Sequence, residues 1–183
     1  SLNSALTSLQ SALSTLTQTS TFSSFSAVLS DATVGTTSTL SNAKPGSYAL
    51  NVTQLATAQK RSSDAYDKSA AIGSGTLTIG VGSSSLNLSV SATDTLSDIA
   101  ANINNASNNP GVTATVVYGS GGAQWLLSSS QTGVANAFTV SASSDSSSGL
   151  STLATRLGTA GDNEAQDATL TLDGISITSA SNS

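Results

Sequence analysis

The sequence predicts an α+β protein that is mainly β, and three observations support this fold class. Leucines near the N-terminus recur with alternating spacings of four and three residues, the period of a coiled-coil-type helix. Runs of alternating apolar and polar residues recur from residue 47 onward, as in strands. The pair Asp173-Gly174 lies between two such runs. We therefore expect a helix, a strand, a β-rich unit with one or two short helices, and a closing hairpin.

The N-terminal helix carries its leucines at positions a and d of a heptad, and its other faces hold Ser, Thr, Asn and Gln with almost no charge. A helix of this length is marginal alone, so the stripe needs a partner. Packing against the chain's own core is one alternative. We predict a seam for helix packing or oligomer formation, made by Leu2, Leu6, Leu9, Leu13 and Leu16.

The strand-like runs are separated by turn residues. Pro45-Gly46 precedes the first run, and glycine, serine and asparagine separate the later ones. Asp-Gly favours a type I′ turn, because both central residues need a positive φ. The predicted strands are 47–53, 77–81, 86–90, 112–118, 124–127, 138–142 and the two arms of the hairpin around Asp173-Gly174.

Two short helices are expected within the β-rich unit. Thr95 is followed three residues later by Asp98, the pattern of an N-terminal cap. Apolar residues then recur at helical spacing, at Leu96, Ile99, Ala100 and Ile103. A second helix is predicted by Leu150, Leu153 and Leu157.

Composition excludes most catalytic chemistry. The 183 residues include no His and no Cys, so a His- or Cys-dependent nucleophile, a disulfide and an ordinary zinc or copper site are ruled out. Charged residues make up only 8%, which suggests a non-cytosolic protein. The net charge is −5, and the five cationic residues are not expected to form a patch able to neutralise several phosphates, so we expect no nucleic-acid binding. No apolar run reaches the length of a membrane span, so membrane insertion is not expected either.

Individual polar motifs favour structural roles over catalysis. Ser41 and Lys44 have the Ser-x-x-Lys spacing of lysine-activated acylases, but Pro45 disfavours the helix that this chemistry needs. The acids lack the spacing of a calcium loop or of a glycosidase pair. They are Asp162, Glu164 and Asp167, with the pairs Asp64/Asp67 and Asp94/Asp98. We predict no catalytic, metal or cofactor site, and hence no enzyme.

Trp125 is the only tryptophan, and two roles are open to it. Together with Tyr118 across a glycine turn it could form a platform on which a sugar stacks. The favoured interpretation is that it anchors the core of a β domain, as lone large aromatics usually do.

Three stretches resemble the filament cap proteins of bacterial flagella, the flagellar hook-associated protein 2 family. Residues 46–59, GSYALNVTQLATAQ, contain a strand and a following V-T-x-L-A-x-A-Q segment. Residues 75–114 are similar to a module shared by flagellins and cap proteins. Residues 165–182, with Leu172-Asp173-Gly174-Ile175 at their centre, resemble the family's return to its earlier domain. The stretches occur in the family's order and cover nearly the whole chain.

The resemblance implies a nested arrangement. Residues 1–20 would belong to a helical leg, residues 21–72 and 164–183 to a discontinuous β domain, and residues 73–163 to an inserted β-rich domain. We also expect a longer protein, because the chain begins inside the helix without a methionine. The family further implies a homo-oligomeric ring at the extracellular tip of the filament, secreted through the flagellar export apparatus, with flagellin and hook-associated junction proteins as partners.

Two alternative functions remain at this stage. A flagellin or another hook-associated protein would share the module at residues 75–114, although the V-T-x-L-A-x-A-Q segment favours the cap. An extracellular adhesin that binds host mucin or glycans through Tyr118 and Trp125 belongs to a different class, and adhesion could also be a second role of a cap.

Overall fold

The computed structural model describes residues 2–17, 25–40, 42–159, 161 and 163–183. The chain separates into two compact units, Ser1–Tyr48 and Ala49–Ser183. Within the described residues, no helix is both long and apolar enough to span a membrane.

The first unit begins with the predicted helix, α1 (Leu2–Leu16). Hydroxyl groups on α1 donate hydrogen bonds to carbonyls four residues earlier, as from Thr7 to Asn3 at 2.9 Å. Residues 25–40 contain no helix or strand, but Thr37 and Thr39 donate to the carbonyls of Ala27 and Phe25 at 2.7 and 2.6 Å. The segment therefore folds back on itself. The side chain of Leu16 and residues 18–24 lie outside the described residues.

The second unit is built from short strands and two α-helices. In chain order they are β1 (Leu50–Gln54), β2 (Lys60–Ser62), β3 (Gly75–Val81), β4 (Ser84–Val90), α2 (Leu96–Asn105), β5 (Val112–Gly119), β6 (Gly122–Ser129), a 3₁₀ turn (Val134–Asn136), β7 (Phe138–Ala142), α3 (Ser148–Gly158), β8 (Ala168–Leu172) and β9 (Ile175–Ser179). The predicted fold class, α+β and mainly β, is confirmed.

The strands form three antiparallel sheets of three strands each, with the orders β1-β8-β9, β2-β6-β5 and β4-β3-β7. The last two sheets and both short helices enclose one hydrophobic core. Trp125 on β6 is fully buried in that core with Leu77, Ile99 and Leu153. The sheet β1-β8-β9 contains the first strand of the second unit and its last two strands.

Local sequence signals account for the turn and the helix start. Asp173 and Gly174 have φ values of 49° and 84°, which confirms the hairpin with two positive φ angles. Thr95 and Asp98 form a reciprocal capping box at the start of α2. The second predicted helix is α3, whose leucines at 150, 153 and 157 are buried.

The predicted boundary at residue 73 stays a prediction, and two contacts cross it. β2 pairs with β6 along Lys60–Ser62, and Ile72 is buried in the hydrophobic core that also contains Trp125. The sequence does not indicate β2 as a strand, because it has almost no apolar pattern. The nested arrangement as a whole stays a prediction.

Candidate functional site

The leucine stripe of α1 is exposed to solvent. The exposed fractions of Leu2, Leu6, Leu9 and Leu13 are 82%, 54%, 63% and 62%. No charged residue lies on the helix, and the hydroxyls of Thr7, Ser8 and Thr15 donate to backbone carbonyls within it. The stripe is thus a row of apolar side chains on an uncharged helix, a surface suited to packing against another helix.

The sheet β1-β8-β9 has a second apolar surface. Strand pairing aligns two rows across the sheet, because partners in register lie on the same face. The rows are Leu50-Leu172-Ile175 and Val52-Leu170-Ile177, and every one of these residues is exposed or only half-buried. The opposite face is polar, and there the Thr53 and Thr169 hydroxyls lie 2.7 Å apart. We call the six-residue surface the open apolar face.

A polar cluster lies where the chain passes between the sheets. Thr57 pairs with Gln166, and the Lys60 amide donates to the Asn163 carbonyl at 2.9 Å, so the outgoing and returning segments run side by side. Gln59, buried with 3% of its surface exposed, accepts from the Phe138 amide through Oε1 at 2.6 Å. This bond ties the crossing to β7.

Arg61 and Glu164 form an ion pair across the crossing. Arg61 is 8% exposed, and its Nη2 lies 2.8 Å from Oε1 and 2.9 Å from Oε2 of Glu164. The Glu164 carboxylate also accepts from the Gly161 amide at 2.8 Å and from Gln59 Nε2 at 3.4 Å. Nε and Nη1 of Arg61 are buried and have no hydrogen-bond partner among the described residues. The guanidinium is therefore only partly satisfied.

The last residues of the chain are fixed beside β1. Asn182 accepts from the Ala56 amide at 2.7 Å and donates to the Ala56 carbonyl at 3.0 Å, so its side chain imitates a paired strand residue. The Asp173 carboxylate accepts from the Ala49 amide at 2.7 Å, and the Ala49 carbonyl accepts from the Asp173 amide at 2.9 Å. These bonds hold residues 168–183 against the segment that begins at residue 49.

The acids that the sequence analysis considered as calcium ligands are Asp162, Glu164 and Asp167, and those that the structure describes bind other groups of the protein. Glu164 pairs with Arg61, and Asp167 accepts from the Val134 amide at 2.8 Å, while Asp162 lies outside the described residues. Within the part of the chain that the structure describes, no group of three acids is arranged to hold a metal ion. The cluster therefore offers no described calcium site.

The two acid pairs likewise serve turns, caps and a surface ion pair. Hydrogen bonds from the side chain and then the backbone of Thr95 lower the pKa of Asp98. The pKa of Asp67 is lowered by hydrogen bonds from the backbone and side chain of Ser69. Asp94 accepts from the Ser91 amide at 2.9 Å, and Asp64 faces Arg156 at 3.4 Å. All four carboxylates have structural partners.

Ser41 of the Ser-x-x-Lys motif lies outside the described residues. Lys44 itself is in a segment with no helix, immediately before Pro45.

The hypothesis of a sugar platform at Trp125 is wrong. The ring is 0% exposed, and its Nε1 donates to the Leu96 carbonyl at 3.1 Å, so neither face is available for stacking. Tyr118 is 61% exposed on β5 but has no exposed tryptophan beside it. Trp125 instead occupies the centre of the core.

The cationic residues are less dispersed than their sequence positions suggested. Lys60, Arg61 and Arg156 line one pocket, although 95 residues of sequence separate Arg61 from Arg156. Arg61 is paired with Glu164 and Arg156 with Asp64, and the tertiary fold brings β2 and the end of α3 together.

Several residues that hold the site were missed at the sequence level. Gln59 is the last residue of the V-T-x-L-A-x-A-Q segment, and the resemblance of that segment to the cap family was the feature that could have identified it. Asn104 bonds both the amide and the carbonyl of Ala114, at 2.9 and 2.7 Å, and Asn109 binds the amides of Gly111 and Val112. An asparagine-rich run between a helix and a strand indicated a loop but not these partners.

Comparison with known proteins gives a consistent result. Residues 1–59 match the family described as flagellar hook-associated protein 2 N-terminus, and residues 76–131 match the flagellin hook IN motif. The B-type flagellar hook-associated protein 2 of Pseudomonas aeruginosa is 32% identical over 154 residues, which are 82% of this chain and 32% of that protein.

Solved structures agree with these matches. The D1-D2-D3 domains of the flagellar cap protein FliD from Escherichia coli superpose with a TM-score of 0.77 at 32% identity, covering 99% of this chain and 53% of that one. The D2-D3 domains from the same organism give a TM-score of 0.68 at 31% identity, covering 79% of this chain and 80% of that one. The chain spans only 13% to 32% of the length of the curated relatives that it matches.

Proposed function

The chain belongs to the flagellar cap protein family, flagellar hook-associated protein 2, and on this premise we propose that its protein caps the distal tip of a bacterial flagellar filament. There it promotes the folding and insertion of exported flagellin subunits and prevents their loss. The observation that carries this proposal is the match of 99% of the chain, at 32% identity, to the D1-D2-D3 domains of a solved cap protein. The first 59 residues favour the cap over flagellin, because they match the hook-associated protein 2 family itself.

The cap works through its surfaces and not through catalysis. The family is structural, and the sequence has neither histidine nor cysteine to supply a nucleophile or a base. We propose a homo-oligomeric, extracellular assembly, exported through the flagellar apparatus, with flagellin and the hook-associated junction proteins as its partners. The exposed apolar surfaces on the chain are the kind of surface that such an assembly needs.

The leucine stripe of α1 is one of these surfaces, and we assign it to the helical leg. Its occupant in this proposal is a second helix of the same polypeptide, from the part of the leg that the present chain does not include. The solved D1-D2-D3 chain is nearly twice as long as the stretch matched here, so about half of its residues remain to supply such a helix. A heptad-spaced stripe without flanking charges suits an apolar helical partner.

The open apolar face supports the proposal of a discontinuous β domain, because it too is an exposed surface that needs a covering partner. A sheet with one polar and one apolar side normally buries the apolar side. In this proposal, further residues of the same domain cover Leu50, Val52 and Ile177. The hydrogen bonds of Asn182 and Asp173 keep the returning segment on this sheet, which is consistent with a domain built from two separated pieces.

Deletion and complementation test the proposed function. A strain that lacks the protein should release flagellin monomers into the medium and should swim poorly, and the full-length protein should restore both properties. Gold-labelled antibody against the protein should mark only the distal end of each filament. Label along the filament shaft would indicate a flagellin-like subunit and would contradict the cap. Normal filaments in the deletion strain would contradict any essential role at the tip.

A further inference from the structure

Two segments of the chain connect the sheet β1-β8-β9 to the rest of the second unit. The outgoing segment follows β1 and the returning segment precedes β8. They run side by side, because Thr57 pairs with Gln166 and the Lys60 amide donates to the Asn163 carbonyl. We call the sheets β2-β6-β5 and β4-β3-β7, together with α2 and α3, the core body. Two neighbouring connections alone leave a line about which the sheet can turn against the core body, as at a hinge.

A loop of the core body binds both connecting segments. The loop follows β6, and we call its residues 132–134 the clamp loop. The Gly133 amide donates to the Thr57 carbonyl of the outgoing segment at 3.2 Å. The Val134 amide donates to the Asp167 carboxylate of the returning segment at 2.8 Å. The core body therefore holds both connections, through bonds that are additional to those between the connections themselves.

The clamp loop also binds a third segment, the residues that follow β9. The Thr132 hydroxyl donates to the Ala180 carbonyl at 2.8 Å. Two residues further on, Asn182 binds the amide and the carbonyl of Ala56, so this segment is itself fixed to the outgoing connection. The clamp loop thus joins the core body to three separate stretches of chain on the side of the sheet.

Gly133 makes this close approach possible. The residue is buried and has a φ of 93°. A Cβ built on it would lie 2.7 Å from the Cβ and from the carbonyl oxygen of Ala180, and 2.8 Å from its Cα. Rotation of a side chain cannot relieve these overlaps, because two of the three atoms belong to the backbone. Both the positive φ and the contact therefore require glycine at this position.

We propose that the clamp loop fixes the sheet β1-β8-β9 at one angle to the core body, with Thr132 and Gly133 as the positioning residues. The loop prevents the two connections from acting as a hinge, so the second unit moves as one body. The open apolar face is thereby held at a constant position relative to the core body. This inference goes beyond the proposed function, and its tests use the purified 183-residue chain, so they do not depend on a role at the filament tip.

The test measures a distance between the sheet and the core body. The chain has no cysteine, so Ser89→Cys on β4 and Ser176→Cys on β9 place two spin labels at defined, exposed positions. Double electron–electron resonance then gives the distribution of distances between the labels. The proposal predicts one narrow distribution for the doubly labelled chain. Gly133→Val should broaden or shift it, because the valine side chain displaces Ala180.

Gly111→Val is the matched control for backbone strain. Gly111 also lies in the core body and has a positive φ, 104°, but nothing lies within 4 Å of its Cβ position. Both variants therefore introduce the same kind of strain, and only Gly133→Val disturbs a contact with the sheet. Gly111→Val should keep the narrow distribution. Equal broadening in both variants, a narrow distribution unchanged by Gly133→Val, or a broad distribution without any glycine substitution would overturn the proposal.

A second variant serves if Gly133→Val does not fold, as judged by the fluorescence of the buried Trp125. Thr132→Val removes the hydroxyl that binds Ala180 and adds no bulk. Hydrogen exchange at the amides of Gly133 and Val134 should become roughly fivefold faster, the effect of losing one net hydrogen bond of the clamp loop. Thr113→Val, at an exposed position on β5, should leave this exchange unchanged. Identical exchange in Thr132→Val and Thr113→Val would show that the clamp loop does not hold the sheet.

Discussion

Replacing Gln59 by leucine should destabilise the second unit, because it removes the oxygen that accepts a hydrogen bond from the Phe138 amide. Gln59 is 3% exposed, and its Oε1 accepts from the buried amide of Phe138 at 2.6 Å. Leucine has a similar size but cannot accept a hydrogen bond, so this buried N–H loses its acceptor. Such a group costs about 1–3 kcal/mol, and the 3.4 Å contact of Gln59 with Glu164 adds little because it is long.

The assay is urea unfolding followed by tryptophan fluorescence. Trp125 is the only tryptophan and is fully buried in the core, so its emission reports on the unit that contains Gln59. The midpoint should fall while the slope of free energy against urea stays constant, since the surface exposed on unfolding is unchanged. Gln131→Leu is the control, because Gln131 is exposed in a loop of the same unit and its change should stay within about 0.5 kcal/mol. Equal effects of the two substitutions would refute this reasoning.

Three further predictions concern the turn, the helix cap and the core. Gly174→Ala should cost about 1–2 kcal/mol, because its φ of 84° strains any residue with a Cβ although the space beside it is open. In Asp98→Asn, the free energy of unfolding should depend less on pH in the acid range than it does in wild type. Because the folded pKa of Asp98 is lowered, its contribution is present above the unfolded pKa near 3.9 and is lost as the pH falls through the folded pKa. Leu153→Ala should cost about 2–5 kcal/mol, since Leu153 is 0% exposed.

Each of these predictions has a matched comparison. Gly119 also has open space at its Cβ position but no positive φ, so Gly119→Ala should not be destabilising to the same degree. Stability of Asp98→Asn is measured by urea unfolding at several pH values between 2 and 7, and a pH dependence identical to that of wild type would exclude the capping contribution. The comparison for Leu153→Ala is Leu40→Ala, because Leu40 is 79% exposed. If both substitutions lowered the free energy of unfolding equally, the location of the core would be contradicted.

The sequence was most informative where local chemistry alone determines structure. Asp173-Gly174 predicts its turn because two adjacent residues must both tolerate positive φ, and Thr95 with Asp98 predicts a helix start through bonds within a single turn. Alternation identified β3 and β4 for the same reason, since each has one face in the core.

The parts that the sequence did not predict depend on distant partners. Strand β2 is three residues long, and its inward residue is Arg61, so it carries no apolar alternation. It is a strand because β6 provides the pairing and because Glu164, 103 positions away, accepts from the guanidinium. The cationic pocket was missed for the same reason, since Arg156 reaches it from a different helix.

The role of the α1 stripe in the cap is tested most directly by placing charges on it in the full-length protein. Leu6→Asp with Leu13→Asp puts two carboxylates on the stripe, and Ser4→Asp with Ser11→Asp puts the same charges, seven residues apart, on the opposite side of the helix. The variants are expressed in a strain that lacks the cap, after circular dichroism of the purified proteins has confirmed that both fold. We predict that the leucine variant releases flagellin monomers and grows no filaments, while the serine variant supports normal filaments. Normal filament growth with both leucines replaced would contradict a packing role for the stripe in the assembled cap.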